Sequence, residues 1–323
     1  MTHKWMIMAF NLGSPLVMHP ISGTLVRWRA HYNPRREPNR ATEAQQQQEA
    51  ETNSPVKGFL SILRRVYVVE GLMGFYKGLV PRMLGFLCIT GLMFLRFKLL
   101  PPWDSRSGSE SKAIPDITIT GSAIDMSYRL LLLVIEIPAE ILVNRATTTQ
   151  YKLPWISRDK ASKALLSEYE RRSLWRLYSI PGYSAARIIM VVFSVGVWPV
   201  ARVLLLSVRG PEGNFPLYER GMIPLVLLNI LLALVMAPLQ VACVRLSLQR
   251  YRDPDSASES GTGSGGSGEQ VPGLEKYPEG GVVRLKDTDR FPYTGLVDCL
   301  DTIIKEEGWK TLLKTGWLAF FGL

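Results

Sequence analysis

The chain is short of the residues that most often carry chemistry. Its 323 residues include 3 cysteines and 3 histidines, and only 20% are charged, below the roughly 25% usual in a soluble domain. Cys88, Cys243 and Cys299 lie far apart, form no Cys-x-x-Cys and have no histidine at ligand spacing. That pattern argues against a disulfide scaffold and a structural zinc site. A phosphate-binding glycine-lysine loop, a nucleophile elbow, a His-Glu-x-x-His helix and a dinucleotide glycine fingerprint in a strand-to-helix setting are all missing. The sequence therefore predicts no enzyme, no resident cofactor and no metal.

What is present is apolar and blocked. Apolar residues make up 47% of the chain, and the mean hydropathy is +0.08, so disorder over the whole chain is excluded. Met222 to Val244 runs 23 residues without a charged side chain, long enough to cross a bilayer core of about 30 Å as a helix. Shorter runs, interrupted by Arg96, Glu136, Glu140 or Arg202, lie at 83–95, 130–143 and 188–201. Any one of these alone also fits a buried core helix; together, separated by polar loops, they predict a bundle of membrane helices. The N-terminal stretch has no small-residue cleavage site, so it is expected to be retained as the first helix. Residues 33–56 and the Gly/Ser-rich 253–290 read as a loop and a linker.

Internal repetition organises the rest. Three apolar segments end in a proline followed seven residues later by an arginine: Pro20 and Arg27, Pro138 and Arg145, Pro238 and Arg245. A proline inside a helix removes a backbone hydrogen bond and kinks it. A single Pro-x6-Arg arises readily by chance, but these three sit 118 and 100 residues apart at the polar ends of hydrophobic runs. After the first and third comes a second element: Glu70-Gly71 with Lys77-Gly78, and Glu307-Gly308 with Lys314. Each follows an amphipathic stretch, Phe59 to Val69 and Leu296 to Glu306, predicted as a surface helix along the membrane face. The middle copy, Ala161 to Tyr178, lacks Glu-Gly and has Glu170-Arg171 nearest to it.

These motifs resemble the mitochondrial carrier family, whose three tandem repeats each hold a kinked helix, a surface helix and a second membrane helix. The resemblance covers nearly the whole chain and divides it into repeats at 1–100, 118–209 and 220–323. It implies an all-α, threefold pseudosymmetric bundle in a mitochondrial membrane. In the family an acid two residues after each proline pairs with a base five residues after the proline on the next kinked helix, closing one end of the cavity. Here the acid positions are Ser22, Glu140 and Gln240, the base positions Leu25, Val143 and Cys243, and no complete pair survives. The aromatic-acid element expected near the end of the even helices is also missing, since Lys98 follows Phe97. After Lys314 only nine residues remain, so five full membrane helices and a truncated sixth are expected, with a truncated gene model or a fragment as the plain alternative.

The resemblance places Asn11, Asp125, Arg129, Glu136, Glu140, Arg187 and Asn229 as cavity candidates. For Glu140 a merely solvated carboxylate is the plain alternative, and His19, which precedes the kink proline and could titrate in the cavity, is expected instead to be a hydrogen-bonded structural histidine. Loss of the gate charges and of the sixth helix is similar to the outer-membrane carrier homologues, which implies an insertase, scramblase or fusion scaffold. The alternative is a solute carrier for a small anion, which the net charge of +10 and Arg187 would suit. Expected partners are the bilayer, anionic lipid and membrane-protein clients or fusion partners. Nucleic acid is not among them, because the bases follow membrane helices instead of forming one patch.

Overall fold

The computed structural model describes residues 2–35, 58–99, 119–153, 158–197, 199–201, 217–250, 274–277, 281–288, 291–314 and 316. Side chains at 2–12 and of Asn11 in particular, the loop from 36, most of the Gly/Ser segment and the predicted sixth-helix residues beyond Lys314, Gly316 excepted, lie outside the described set. The described elements are helical, with one isolated antiparallel bridge between Tyr151 and Lys276. In chain order they are α1 (Thr2–Ala30), α2 (Phe59–Phe75), α3 (Leu79–Leu99), α4 (Ile119–Thr148), α5 (Arg158–Leu165), α6 (Glu168–Arg172), α7 (Tyr183–Val191), α8 (Leu217–Leu248), α9 (Leu296–Glu306) and α10 (Trp309–Leu313). A 3-10 turn at Leu174–Ser179 precedes α7, and a π-helical stretch, Val192–Val197, continues it.

Among the described residues, three helical stretches are long and apolar enough to cross a membrane: Leu79–Arg96, Tyr183–Ala201 and Val226–Leu248. Helices α1 and α4 are of similar length but are more polar, and they carry the first two repeated prolines inside them. The helix survives Pro138 because the acceptor that proline leaves free, the Val134 carbonyl four residues back, is taken by the Tyr178 hydroxyl. Helices α1, α4 and α8 touch one another, and α3 packs along α4 where Gly85 abuts Ala139.

The main core forms where these helices end. Ile137 and Ile141 of α4, Val241, Ala242 and Leu246 of α8 and Tyr183 and Ala186 of α7 pack there with Cys299 and Ile303 of α9. Helix α9 keeps the bounds that its apolar spacing predicts. Helix α2 buries Ile62, Val66, Glu70 and Gly74, a four-residue spacing that marks one face. Leu60, Tyr67, Val68 and Leu72 stay exposed. At Gly71 the backbone turns to φ 69°, open to glycine at little cost, and this interrupts α2 directly after Glu70.

One region departs from the composition reading. Residues 274–277 and 281–288, within the stretch read as linker, are packed: Val282 and Val283 are buried against Ile62 and Val66 of α2. Two β-branched residues give this part of the segment the apolar surface that its Gly/Ser neighbours lack.

Candidate functional site: arginine-glutamate pairs and the gate positions

Each repeated arginine reaches a glutamate on the following surface helix or, for Arg245, at its C-terminal cap. Arg27 Nη2 lies 2.5 Å from Glu70 Oε2. Arg145 binds Glu170 through both terminal nitrogens, at 2.7 and 2.9 Å. Arg245 binds Glu307 in the same two-pronged way, one contact at 3.0 Å. All six side chains are nearly or fully buried, so each charge depends on its partner for solvation. Glu170 is thus the counterpart of Glu70 and Glu307 that the missing Glu-Gly concealed. The signal that marks it is the Ser167-x-x-Glu170 capping box, in which Ser167 and Glu170 cap each other's backbone N–H.

The arginines also join the kinked helices in sequence. Arg145 donates to the carbonyls of Ser247 (2.8 Å) and Gln249 (2.7 Å) at the end of α8. Arg245 donates to those of Arg29 (3.3 Å) and His31 (3.1 Å) at the end of α1. In both cases the acceptors stand nine and eleven residues after the proline. At the third junction Lys77 takes over: its ammonium donates to the Thr149 carbonyl at 3.0 Å and to Glu70 at 2.5 Å. Burial lowers the Lys77 ammonium to about 8 against the pull of Glu70. Lys314, which occupies the matching place after Glu307, is likewise lowered to about 8 by burial, with Arg245 adding to the effect. Gly78 follows Lys77 with φ 82° and lies against the Val143 carbonyl; Gly308 has φ 94°.

At the three base positions that the resemblance marks, buried apolar side chains stand instead of charges. Leu25, Val143 and Cys243 are 2%, 3% and 5% exposed. Their three acid-position counterparts turn elsewhere. Ser22 donates to the His19 carbonyl one turn back at 3.1 Å. Gln240 accepts a hydrogen bond from Arg29 at 2.6 Å, a residue one turn beyond Leu25 on α1. Glu140 accepts from the Tyr183 hydroxyl at 3.1 Å and pairs with Arg187 at 3.1 Å, both on α7. The α1–α8 contact is therefore kept but displaced by one turn, and Arg29 is a residue that the position rule misses. His19 bonds the Lys77 carbonyl at 2.9 Å and is fully buried, consistent with the structural role expected of it.

The structure brings four cavity candidates together. Glu136 and Glu140 stand one turn apart on α4, and Arg187 bridges them at 3.0 and 3.1 Å. Arg129 sits 3.9 Å from Glu136. Asp125 is drawn away to Arg96 of α3 in an exposed pair, and Asn229 lies on the exposed side of α8. Asp125 thus stands apart from the cluster. Two carboxylates, a guanidinium and a phenol form a site that can offer both donors and acceptors to a polar ligand.

Among the described residues no group of side chains is arranged to hold a metal ion. Cys88 is exposed, while Cys243 and Cys299 are buried and free. Burial pushes the Cys299 thiol up to about 12, which removes its nucleophilic character.

No curated protein matches the chain. The family model described as mitochondrial carrier protein matches residues 17–101, the span from the second half of α1 through α2 and α3. That stretch is similar to a mitochondrial carrier domain, and with the apolar helices the match supports a multi-pass protein of a mitochondrial membrane.

Proposed function

We propose that the whole chain is a divergent carrier-fold protein, and that it works in the outer mitochondrial membrane as an insertase, lipid scramblase or fusion scaffold instead of a gated exchanger. The carrier reading of the second and third repeats rests on Arg145–Glu170 and Arg245–Glu307, which sit in the same register as Arg27–Glu70 inside the matched domain. The observation that carries the functional reading is the state of the gate. An exchanger must pass between two closed states of nearly equal energy, and a ring of acid–base pairs does this at small net cost because each pair can be rehydrated. Leu25, Val143 and Cys243 are apolar and buried, and hydrating them on opening has no such compensation.

A second reading has its own support. Arg187 between Glu136 and Glu140 is a polar cluster suited to a small solute, and arginine is the natural partner of a carboxylate or phosphate. Reconstitution separates the two. Proteoliposomes containing the protein are expected to expose fluorescent inner-leaflet lipid to an impermeant quencher and to show no saturable exchange of labelled di- or tricarboxylates. Saturable anion exchange lost on Arg187→Ala would overturn the first reading in favour of the second. Carbonate extraction with protease protection of intact mitochondria tests the outer-membrane assignment.

A further inference from the structure

The ends of the three kinked helices meet at three seams, and the repeated arginines do not serve them alike. At the α4–α8 seam Arg145 places Nε and Nη2 on the carbonyls of Ser247 and Gln249, and the Asn144 amide donates to the Ser247 hydroxyl at 3.0 Å. At the α8–α1 seam Arg245 places the same two nitrogens on the carbonyls of Arg29 and His31, and Arg29 donates to Gln240. Counted from Pro138 in the same way, the acceptors for Arg27 at the α1–α4 seam are the carbonyls of Thr147 and Thr149. Arg27 bonds elsewhere. Its Nη2 donates to Glu70 and, at 2.9 Å, to the Gly74 carbonyl of α2, while Nε and Nη1 are buried without a hydrogen-bond partner among the described residues.

The α1–α4 seam holds a close approach and a bridge instead. A Cβ on Gly23 of α1 would stand 3.2 Å from the Thr147 Cγ2 and 3.7 Å from the Arg27 Nη1, so the two helices meet through a glycine, with the idle guanidinium nitrogen beside the contact. The bridge is Lys77, two residues before α3. Its carbonyl meets His19 of α1, and its ammonium donates to Glu70 and to the Thr149 carbonyl.

We infer that the α1–α4 seam is the one that parts, letting water in between the first and second repeats while the α4–α8 and α8–α1 seams stay joined. Parting either of those two takes carbonyl acceptors away from a buried guanidinium that is already using them. At the α1–α4 seam the balance is the reverse. Water entering there gives the Arg27 Nε and Nη1 the acceptors they lack, and so removes a desolvation cost that the closed seam carries. The Arg27–Glu70 and Lys77–Glu70 pairs lie within the first repeat and stay intact, so no charge is stranded. Such a one-sided parting differs from the symmetric opening of an exchanger, and it holds whether the protein scrambles lipid or carries a solute.

Cysteine labelling of the full-length protein in nanodiscs tests it. Thr147 and Ser247 hold matching places, nine residues after their prolines, and both are 0% exposed. Three seams of equal strength would therefore protect a cysteine at either place alike. With a water-soluble maleimide and readout by peptide mass spectrometry, Thr147→Cys is expected to react about tenfold faster than Ser247→Cys, or more. Ser247→Cys is expected to stay as slow as the native Cys299, which is buried. Lys77→Met removes the bridge but leaves Glu70 with Arg27, and is expected to speed labelling of Thr147→Cys and not of Ser247→Cys. Equal rates at the two places, or an acceleration by Lys77→Met that both share, overturns the inference. Where a variant loses its cooperative melting transition, phenylglyoxal on the unsubstituted protein decides. Arg27 and Arg145 are both nearly or fully buried; modification of Arg27 about tenfold faster than of Arg145 supports the parting seam, and equal modification refutes it.

Discussion

Arg145 shows why a single buried charge can hold several elements at once. Its guanidinium binds Glu170 twice and also the carbonyls of Leu165, Ser247 and Gln249, so α4, α5, α6 and the end of α8 meet on one side chain. Every donor is used, which is what makes burial tolerable. Glu170→Ala leaves that guanidinium buried without its counterion, and a loss of about 3–5 kcal/mol is expected, seen as a lower melting temperature in detergent. The paired change Arg145→Met with Glu170→Leu removes both charges and is expected to recover part of the loss. His31 gives a pH dependence. Burial, reinforced by Lys314, Arg65, Arg245 and Arg284, lowers it to about 4 from its ordinary 6.5. Between those values the unfolded chain binds a proton that the folded chain refuses, so this group's contribution to stability is lost as pH falls from about 6.5 towards 4. The melting temperature of the wild type is expected to fall more steeply over that interval than that of His31→Gln, and equal slopes would refute the assignment.

At the scale of elements, the turn between the 3-10 segment and α7 depends on Gly182. Its φ is 77°, and a Cβ there would collide with the backbone of Leu296 at the start of α9. Gly295, next to that contact, is extended at φ 179° and has open space around its Cα. Gly182→Ala is therefore expected to lower stability by several kcal/mol, of the size of strain plus overpacking, while Gly295→Ala changes it by less than about 1 kcal/mol. Thermal unfolding of the two variants side by side checks the contrast. These same elements show what could be read from the sequence. Helix α9 was readable because Leu296, Cys299, Leu300 and Ile303 repeat at helical spacing on a short, otherwise polar stretch. The first and third surface helices were readable through Glu-Gly, since glycine is needed where the backbone turns to positive φ. Glu170 was obscured because its helix starts with a capping box instead. Arg29 was obscured because a one-turn displacement along α1 leaves the helix face unchanged but shifts the sequence position by four. Glu136, Glu140 and Arg187 were legible as polar residues within apolar runs, but their pairing belongs to the packing of α7 on α4. The packed part of the α8–α9 connection was hidden by the Gly/Ser composition around it.

For the whole molecule, connectivity puts the basic surface on a single side of the membrane. Helices α1, α4 and α8 end where α2, α5, α6, α9 and α10 lie, because Arg27, Arg145 and Arg245 in their last turns bind Glu70, Glu170 and Glu307 on those elements or beside them. Helices α3 and α7 start from the same end. Lys160 and Lys163 of α5, Lys276 of the α8–α9 connection, Lys305 of α9 and Lys310 of α10 must then share one aqueous compartment, together with Arg171 and Arg172 of α6. The apolar spans of α3, α7 and α8 separate them from the opposite surface. Such a concentration of bases favours an anionic leaflet, each contributing about 1 kcal/mol near the surface and less at high salt. An impermeant amine reagent added to sealed, uniformly oriented proteoliposomes is expected to modify these lysines all together or not at all, with permeabilisation reversing the second case. Modification of Lys163 without Lys305 would break the single-face arrangement. Vesicles with anionic lipid are expected to slow the labelling of Lys160 and Lys310 relative to neutral vesicles at low salt, with the difference fading as ionic strength rises. An electrostatic attraction to headgroups must be screened in this way, whereas steric shielding by the bilayer would persist.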